Sequence, residues 1–433
     1  MFKALPAVFF ALVPVLPLAA RERVRLPAEL AAYELPPAPE PAGLRIDKGE
    51  RIAICGDSIT EQKRYSLILE AYLTACMPEL ETECRQFGWS GETAGGFLKR
   101  AGNDVLRFKP TLATTHYGMN DFRYVPFDRE IAAEFHKNLT ATANLFAQNG
   151  CDLIIGSPGI IDSVPKWVTH ATGSPKDLNL ALNKFRNMSM DIAAAGRSGF
   201  ADIYQPMLLA DHAAKQQFGD SFKVAGKDGV HPGWAGHLIM AHAFLDAMGV
   251  PGDLGTITWH DVRRSATATG GHEILSSRNG KLTIRSSKLP FSPGPGDPAN
   301  DDSIRAGLAL VPFDDRFNRL TLKVVLPRAP AYQVQWGPHA RQYTAEQLTR
   351  GVSLAADFHD HPLVPTFQQV WNAIAAKQAY ETRQIKSLVH GPEGKADLEL
   401  TFALSEKTRA LYLAAVKQAM RPVTHEILLK PLK

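Results

Sequence analysis

From Arg51 to about Tyr204 the chain alternates short apolar runs with longer segments of helical spacing, and this alternation restricts the fold more than any other feature. The runs lie at Arg51–Cys55, Thr82–Phe87, Thr111–Tyr117, Asp152–Ser157 and Phe200–Tyr204 and read as strands. Between them, Gln62–Cys76, Asp128–Gln148 and Asn179–Ala195 repeat their apolar residues at helical spacing. Asp128 suits the cap of its helix, which ends near Gly150. Strand and helix in alternation imply βαβ units, a parallel sheet and helices on both faces. Such sheets bind ligands beyond the carboxyl ends of their strands. Residues that carry chemistry are therefore expected just after a strand.

The pattern changes after Val250-Pro251-Gly252. Ile274–Leu275 and Leu282–Ile284 flank Arg278-Asn279-Gly280, a hairpin signal. Phe291 to Asp302 is rich in Pro, Gly and Asp and reads as a loop. Leu320–Leu326 and Tyr332–Trp336 are strand-like, while Pro365–Ile385 and Lys407–Met420 read as helices. The C-terminal part is expected to be a smaller, mixed unit of β hairpins and helices.

With 433 residues the chain has room for two to three domains. A hydrophobic fraction of 45% with 21% charged residues excludes wholesale disorder, a collagen-like fibre and a polytopic membrane protein. The net charge of +4 is too small to argue for nucleic acid or an anionic membrane surface. Four cysteines exclude a disulfide-built scaffold.

Met1 to Ala20 joins one Lys to an apolar stretch and ends in small residues before Arg21-Glu22-Arg23. That order suits a cleaved export signal, and Pro6, Pro14 and Pro17 disfavour a spanning helix. No stable membrane insertion is expected after cleavage, and the mature chain is expected in the periplasm or outside the cell. The expected divisions are a signal peptide at 1–20, a linker at 21–45, an α/β unit at 46–252 and the mixed region at 253–433. Cys55 and Cys151 lie in strand-like runs and read as buried thiols. Cys76 and Cys84 flank Met77-Pro78-Glu79, and the sequence leaves their pairing open.

Four short motifs follow successive elements. The first strand ends in Gly56-Asp57-Ser58, which sets a Ser at a helix start, where negative charge is favoured. The second ends in Gly88-Trp89-Ser90-Gly91, and Gly91 offers a bare N–H at the same sheet edge. The third ends in Gly118-Met119-Asn120-Asp121, where the Asn120 amide is a neutral donor. In Asp228-Gly229-Val230-His231 a carboxylate stands three residues before an imidazole and can be placed behind it. Each motif alone also reads as an ordinary cap or turn.

Together they resemble the four marker blocks of the SGNH hydrolases, the GDSL esterase/lipase family, across about Arg51 to Gly249. Ser58, Gly91, Asn120 and His231 stand at the family's four named positions in its order, and Asp228 where its triad has the third member. Ile59 replaces the Leu of the family name. The resemblance implies a flavodoxin-like three-layer α/β/α sandwich and ester hydrolysis through an acyl-enzyme. It makes Ser58 the nucleophile, His231 the base, and Ser58 N–H, Gly91 N–H and Asn120 the oxyanion donors. No cofactor and no metal is required.

Arg64, Lys99, Arg100, Arg123, Lys166 and Lys227 lie near the motifs and are expected to form a polar, basic rim. Such a rim suits an acetylated glycan better than a lipid. Alternatives are a lysophospholipase or short-chain lipase, an acyltransferase with the same triad, and a glycan-binding protein without catalysis. The sequence carries no signal for an oligomeric state. Asp57 and Asp121 read as turn-stabilising carboxylates, Trp89 and Trp234 as packing residues, and His116 as a hydrogen-bonded core histidine. His359-Asp360-His361 has ligating residue types but no third partner, and reads as a solvated loop.

Overall fold

The computed structural model describes residues 24–433, so the export signal expected at 1–20 lies outside the described residues. Strands β1 (Arg51–Gly56), β2 (Glu83–Gln86), β3 (Leu112–His116), β4 (Asp152–Gly156) and β5 (Gly199–Ala201) form an all-parallel sheet in the order β2-β1-β3-β4-β5. This is the flavodoxin-like order, which changes direction between β1 and β3. All of β3 and all but the first residue of β1 are buried, as in a parallel sheet covered on both faces.

The covering helices are α1 (Ser58–Glu61), α2 (Tyr65–Cys76), α3 (Ala94–Asp104), α4 (Arg129–Gln148), α5 (Pro175–Ala195), α6 (Tyr204–Phe218) and α7 (Trp234–Ala247). α2 packs on α7, while α3 packs on α4 and α4 on α5, which gives the three layers. Asp128 caps α4, accepting from Glu130 N–H and Ile131 N–H. α5 starts at Pro175, earlier than its apolar spacing implies, because Ser174 and Asp177 form a capping box. β5 is shorter than the Phe200–Tyr204 run. Ser157 Oγ accepts from Ile203 N–H and Tyr204 N–H, each at 2.9 Å, which ends the strand and starts α6.

The remaining strands are β6 (Asp253–His260), β7 (Ser265–Ala268), β8 (His272–Arg278), β9 (Lys281–Ser286), β10 (Arg319–Val325), β11 (Ala331–Trp336), β12 (His339–Thr344), β13 (Val352–Ser353) and β14 (Val423–Leu432). They form a mixed sheet, β13-β10-β6-β7, and an antiparallel one, β12-β11-β14-β9-β8. The expected hairpin is β8–β9, turning at Asn279-Gly280. Between the strands lie α8 (Ile304–Leu310), α9 (Phe313–Phe317), α10 (Ala345–Arg350), α11 (Leu354–Asp357), α12 (Val364–Arg383), α13 (Pro392–Ala396) and α14 (Leu398–Ala419). α8 packs on α7, and α12 packs on α2, β2 and α14, so this region encloses one flank of the parallel sheet.

A buried charge cluster ties that flank down. Lys377 on α12 donates to Glu381 at 2.7 Å and to Cys84 O at 2.8 Å and pairs with Glu70 at 3.0 Å. Arg409 on α14 reaches Glu381 at 2.8 Å and Glu83 at 2.6 Å. At the other end, residues 24–46 pack through Leu30, Tyr33, Leu35 and Ile46, and Asn183 of α5 bonds both Glu34 N–H and Glu34 O.

All four cysteines are free and buried, Cys76 and Cys84 included. Burial pushes the Cys151 thiol up to about 12. His116 is a core residue, but neither ring nitrogen finds a hydrogen-bond partner, because it faces apolar and aromatic neighbours such as Tyr65. His361 corrects the solvated-loop reading. Its ring is buried, stacks on Trp336 at 4.1 Å and lies 3.1 Å from Ser292 Oγ. His359 and Asp360 turn instead to Arg305 and His339.

Buried imidazoles give the fold an acid sensitivity. Burial pushes His361 down to about 3 and His116 and His425 down to about 4, and it lowers His237 and His272 as well. In the unfolded chain an imidazole takes its proton near pH ~6.5. Below that pH the unfolded state binds more protons, so stability falls toward pH ~4 by about 1.4 kcal/mol per pH unit per histidine. Asp57 and Asp121, pushed up by burial to about 8 and about 6, and the likewise raised Glu70, Asp211 and Asp314 act in the opposite sense and offset part of this loss. The urea midpoint is therefore expected to be lower at pH 5 than at pH 7.5, and an equal or higher midpoint would contradict this account.

Candidate functional site

β1 delivers its chain end into a tight turn. A Cβ on Gly56 would lie 2.1 Å from Thr60 Oγ1 and 2.9 Å from His116 O, so only glycine fits there. Asp57 then caps α1, its Oδ1 accepting from Ile59 N–H at 2.9 Å, and Ser58 is the first helical residue. The first N–H groups of a helix have no intrahelical acceptor. Among the described residues no hydrogen bond uses Ser58 N–H or Gly91 N–H.

The Asp228-Gly229-Val230-His231 turn precedes α7. Gly229 has φ +87°, and a Cβ on it would lie 2.3 Å from Ser163 O. Asp228 Oδ1 accepts from Val230 N–H at 2.9 Å and His231 N–H at 2.8 Å, which leaves Oδ2 for the ring. His231 Nδ1 lies 2.8 Å from Asp228 Oδ2, and His231 Nε2 lies 2.8 Å from Ser58 Oγ. With Nδ1–H donating to the carboxylate, Nε2 is left to accept the Ser58 O–H. Burial raises the Asp228 carboxyl, but the two N–H groups and the imidazole outweigh it and hold the group below the usual carboxylate range. The residues brought together from β1 and the pre-α7 turn thus form a continuous Ser–His–Asp hydrogen-bonded chain.

Asn120 lies at the end of β3, on the same edge. Its Nδ2 donates to Glu92 O at 3.0 Å and approaches Asp57 Oδ2 at 3.3 Å. Asp57 is fully buried, and burial, against its N-cap bond and with Asp121 and Glu92 nearby, pushes it up to about 8. A carboxyl that is neutral at pH 7 puts no negative charge between Ser58 and Asn120. Asp121 accepts from Ala94 N–H and Gly118 N–H, which is the turn-stabilising role expected of it.

The sequence reading missed what holds Asn120. Arg100, expected on a solvated rim, is buried and clamps Glu92 with bonds of 2.6 and 2.7 Å, while Tyr117 donates to the same carboxylate at 2.8 Å. A buried guanidinium requires such a partner. Arg64 and Arg123 are likewise paired, with Asp302 and Glu134, whereas Lys99, Lys166 and Lys227 are exposed. Trp89 packs under Arg100, Lys386 and His390, and Trp234 packs on Trp371 and under Arg64, as expected of both.

Two further features border His231. Trp167, on the loop after β4, lies 5.5 Å from the imidazole between ring centroids and is 55% exposed. A cavity of about 210 Å³ is lined by His231, Gln62, Arg64 and Lys227 with Asp301 and Asp302. The Asp301–Asp302 pair belongs to the loop read from the sequence as Phe291–Asp302, so residues beyond 253 contribute to the wall.

A serine hydrogen-bonded to an imidazole at the carboxyl edge of a flavodoxin-like sheet has the geometry that a serine nucleophile requires. Residues 54–239 match the GDSL-like lipase/acylhydrolase family, and this SGNH-type domain supports a carboxylic ester hydrolase. It is 26% identical over 227 residues to an acetylxylan esterase of Geobacillus stearothermophilus, covering 48% of this chain and 97% of that protein. A solved gut microbial diltiazem-metabolizing enzyme shares the fold over 90% of this chain and 100% of its own, with TM-score 0.71 and 20% identity.

Proposed function

We propose that the chain is a serine esterase that removes acetyl groups from a carbohydrate. The hydrogen-bonded chain from Ser58 Oγ through His231 to Asp228, 2.8 Å at each step, is the observation that carries this reading. His231 Nε2 takes the Ser58 proton as Oγ attacks the ester carbonyl. Asp228 steadies the imidazolium, and His231 returns the proton to the departing alkoxide. Water then repeats the cycle on the acyl-enzyme. Ser58 N–H, Gly91 N–H and the Asn120 amide receive the oxyanion. Asn120→Ala is expected to lower kcat by roughly a hundred- to thousand-fold with the Ser58–His231 pair intact. An effect within threefold would remove Asn120 from the oxyanion hole.

A short acyl group and a polar alcohol are supported by the lining of the cavity beside His231. An apolar cavity of about 420 Å³ is walled by residues such as Phe200, Leu209 and Val311, none of them at Ser58 or His231. The similarity to an acetylxylan esterase points the same way. We assign catalysis to residues 46–252 and treat 253–433 as an accessory region. The leader-like residues 1–20 support export, and no helix among the described residues is long and apolar enough to cross a membrane. Initial rates on p-nitrophenyl acetate and p-nitrophenyl octanoate test the acyl preference. A faster octanoate would replace this reading with a lipase.

A further inference from the structure

We infer that the alcohol portion of the substrate is held beside His231 in a composite subsite: Trp167 is its stacking face, and Arg64, Lys227, Asp301 and Asp302 form its hydroxyl-binding wall. The inference rests on the esterase reading above and extends it to the neutral or charged nature of the sugar. In acyl transfer to serine, the imidazole protonates the leaving alkoxide, so the alcohol has to lie against His231 Nε2. Both the exposed indole and the polar cavity border that imidazole.

The wall is built before any ligand arrives. Arg64 donates to Asp302 Oδ1 at 2.6 Å, and the same oxygen accepts from Trp234 N–H at 3.1 Å. Asp301 Oδ2 accepts from Lys223 N–H at 3.0 Å, and Gln62 Oε1 lies 2.7 Å from His237 Nε2. The result is a wall of donors and acceptors, with Arg64, Asp301 and Asp302 held by their partners and Lys227 exposed beside them. Sugar hydroxyls, each both donor and acceptor, complement such a wall. A polyanion would meet Asp301 and Asp302, and an alkyl chain would leave every polar group unpaired. The volume of about 210 Å³ is below that of pockets for drug-sized ligands and suits a single sugar ring.

Trp167 is exposed on a tethered support. Asp162 N–H donates to Gly229 O at 2.9 Å, and the Asp162 carboxylate pairs with Lys215 and Lys223. The loop that carries the ring is thus tied to the Asp228–His231 turn, and the half-exposed indole leaves an apolar face open to a ligand. The accessory region acquires a role in the same way. Its loop is anchored by His361 on Ser292 Oγ and by Gln368 donating to Ser292 O at 3.0 Å, and it carries Asp301 and Asp302 to the cavity.

The test measures kcat/KM on ethyl acetate, whose alcohol is too small to span the subsite, and on an acetylated methyl xyloside. A uronic-acid counterpart of the xyloside is the third ester. Trp167→Ala is expected to lower the ratio of sugar ester to ethyl acetate about tenfold, chiefly through KM, and Trp167→Phe to recover most of it. Asp302→Asn should lower the same ratio, and wild type should favour the xyloside over the uronate. An equal loss on both neutral esters would make Trp167 a positioning residue for His231 and overturn the subsite. An unchanged ratio in both variants would overturn it too, while leaving sugar deacetylation in place. Wild type that cleaves ethyl acetate and no sugar ester would overturn the carbohydrate reading itself.

Discussion

Ser58→Ala is expected to lower kcat on p-nitrophenyl acetate by roughly 10⁴- to 10⁶-fold, the scale on which nucleophile removal acts when the triad works as a unit. What survives would come from binding and oxyanion donors alone. The Ser58 side chain makes one hydrogen bond, to His231, on a partly solvated ring. Its loss should therefore leave thermal stability within about 1 kcal/mol of wild type. A fluorophosphonate probe should label wild type and not the variant. Equal turnover in the two chains would end the serine-esterase mechanism, and equal inertness would favour a glycan-binding protein.

The largest stability effect is expected at Glu381. Its Oε1 accepts from Lys377 at 2.7 Å and Arg409 at 2.8 Å, and Oε2 accepts from Gln86 N–H at 3.1 Å. Burial raises this carboxyl, but the two cations outweigh it and hold it below the usual range. Lys377 is fully buried, so Glu381→Ala leaves an ammonium and a guanidinium short of a counter-charge in a dry interface. Breaking a buried pair from one side costs about 3–5 kcal/mol, which should appear as a lower urea midpoint. Glu381→Gln keeps one acceptor oxygen and should cost less. A Glu381→Ala midpoint equal to wild type would mean that water already reaches the cluster.

The parallel sheet was legible because β1 and β4 are short apolar runs set between segments of helical spacing, and Asp128 marked its helix by a local capping signal. The four motifs were legible because each sits within a few residues of a strand end. What stayed hidden was non-local. Nothing around Arg100 says that its charge turns inward to Glu92 eight residues earlier, since a solvated arginine has the same neighbours in sequence. The Phe200–Tyr204 run could not be divided from composition, because Ser157, far away in the chain, supplies the acceptor that ends the strand. α7 is buried on nearly every face, which erases the polar stripe that marks a surface helix. The Pro- and Gly-rich segment after Phe291 reads as a loop under any inspection, and only folding brings Asp301 and Asp302 beside His231.

The position of β14 has a kinetic consequence. It is the last strand in chain order, yet it sits in the middle of its sheet, between β11 and β9. β8–β9 and β11–β12 can form as separate hairpins while a ribosome is still at work, but nothing joins them until residues 423–432 emerge. The parallel sheet, complete by residue 201, faces no such wait. Chains fold from the N-terminal side as they are made. The nascent protein would thus acquire its reactive serine first and the surroundings that choose its substrate last.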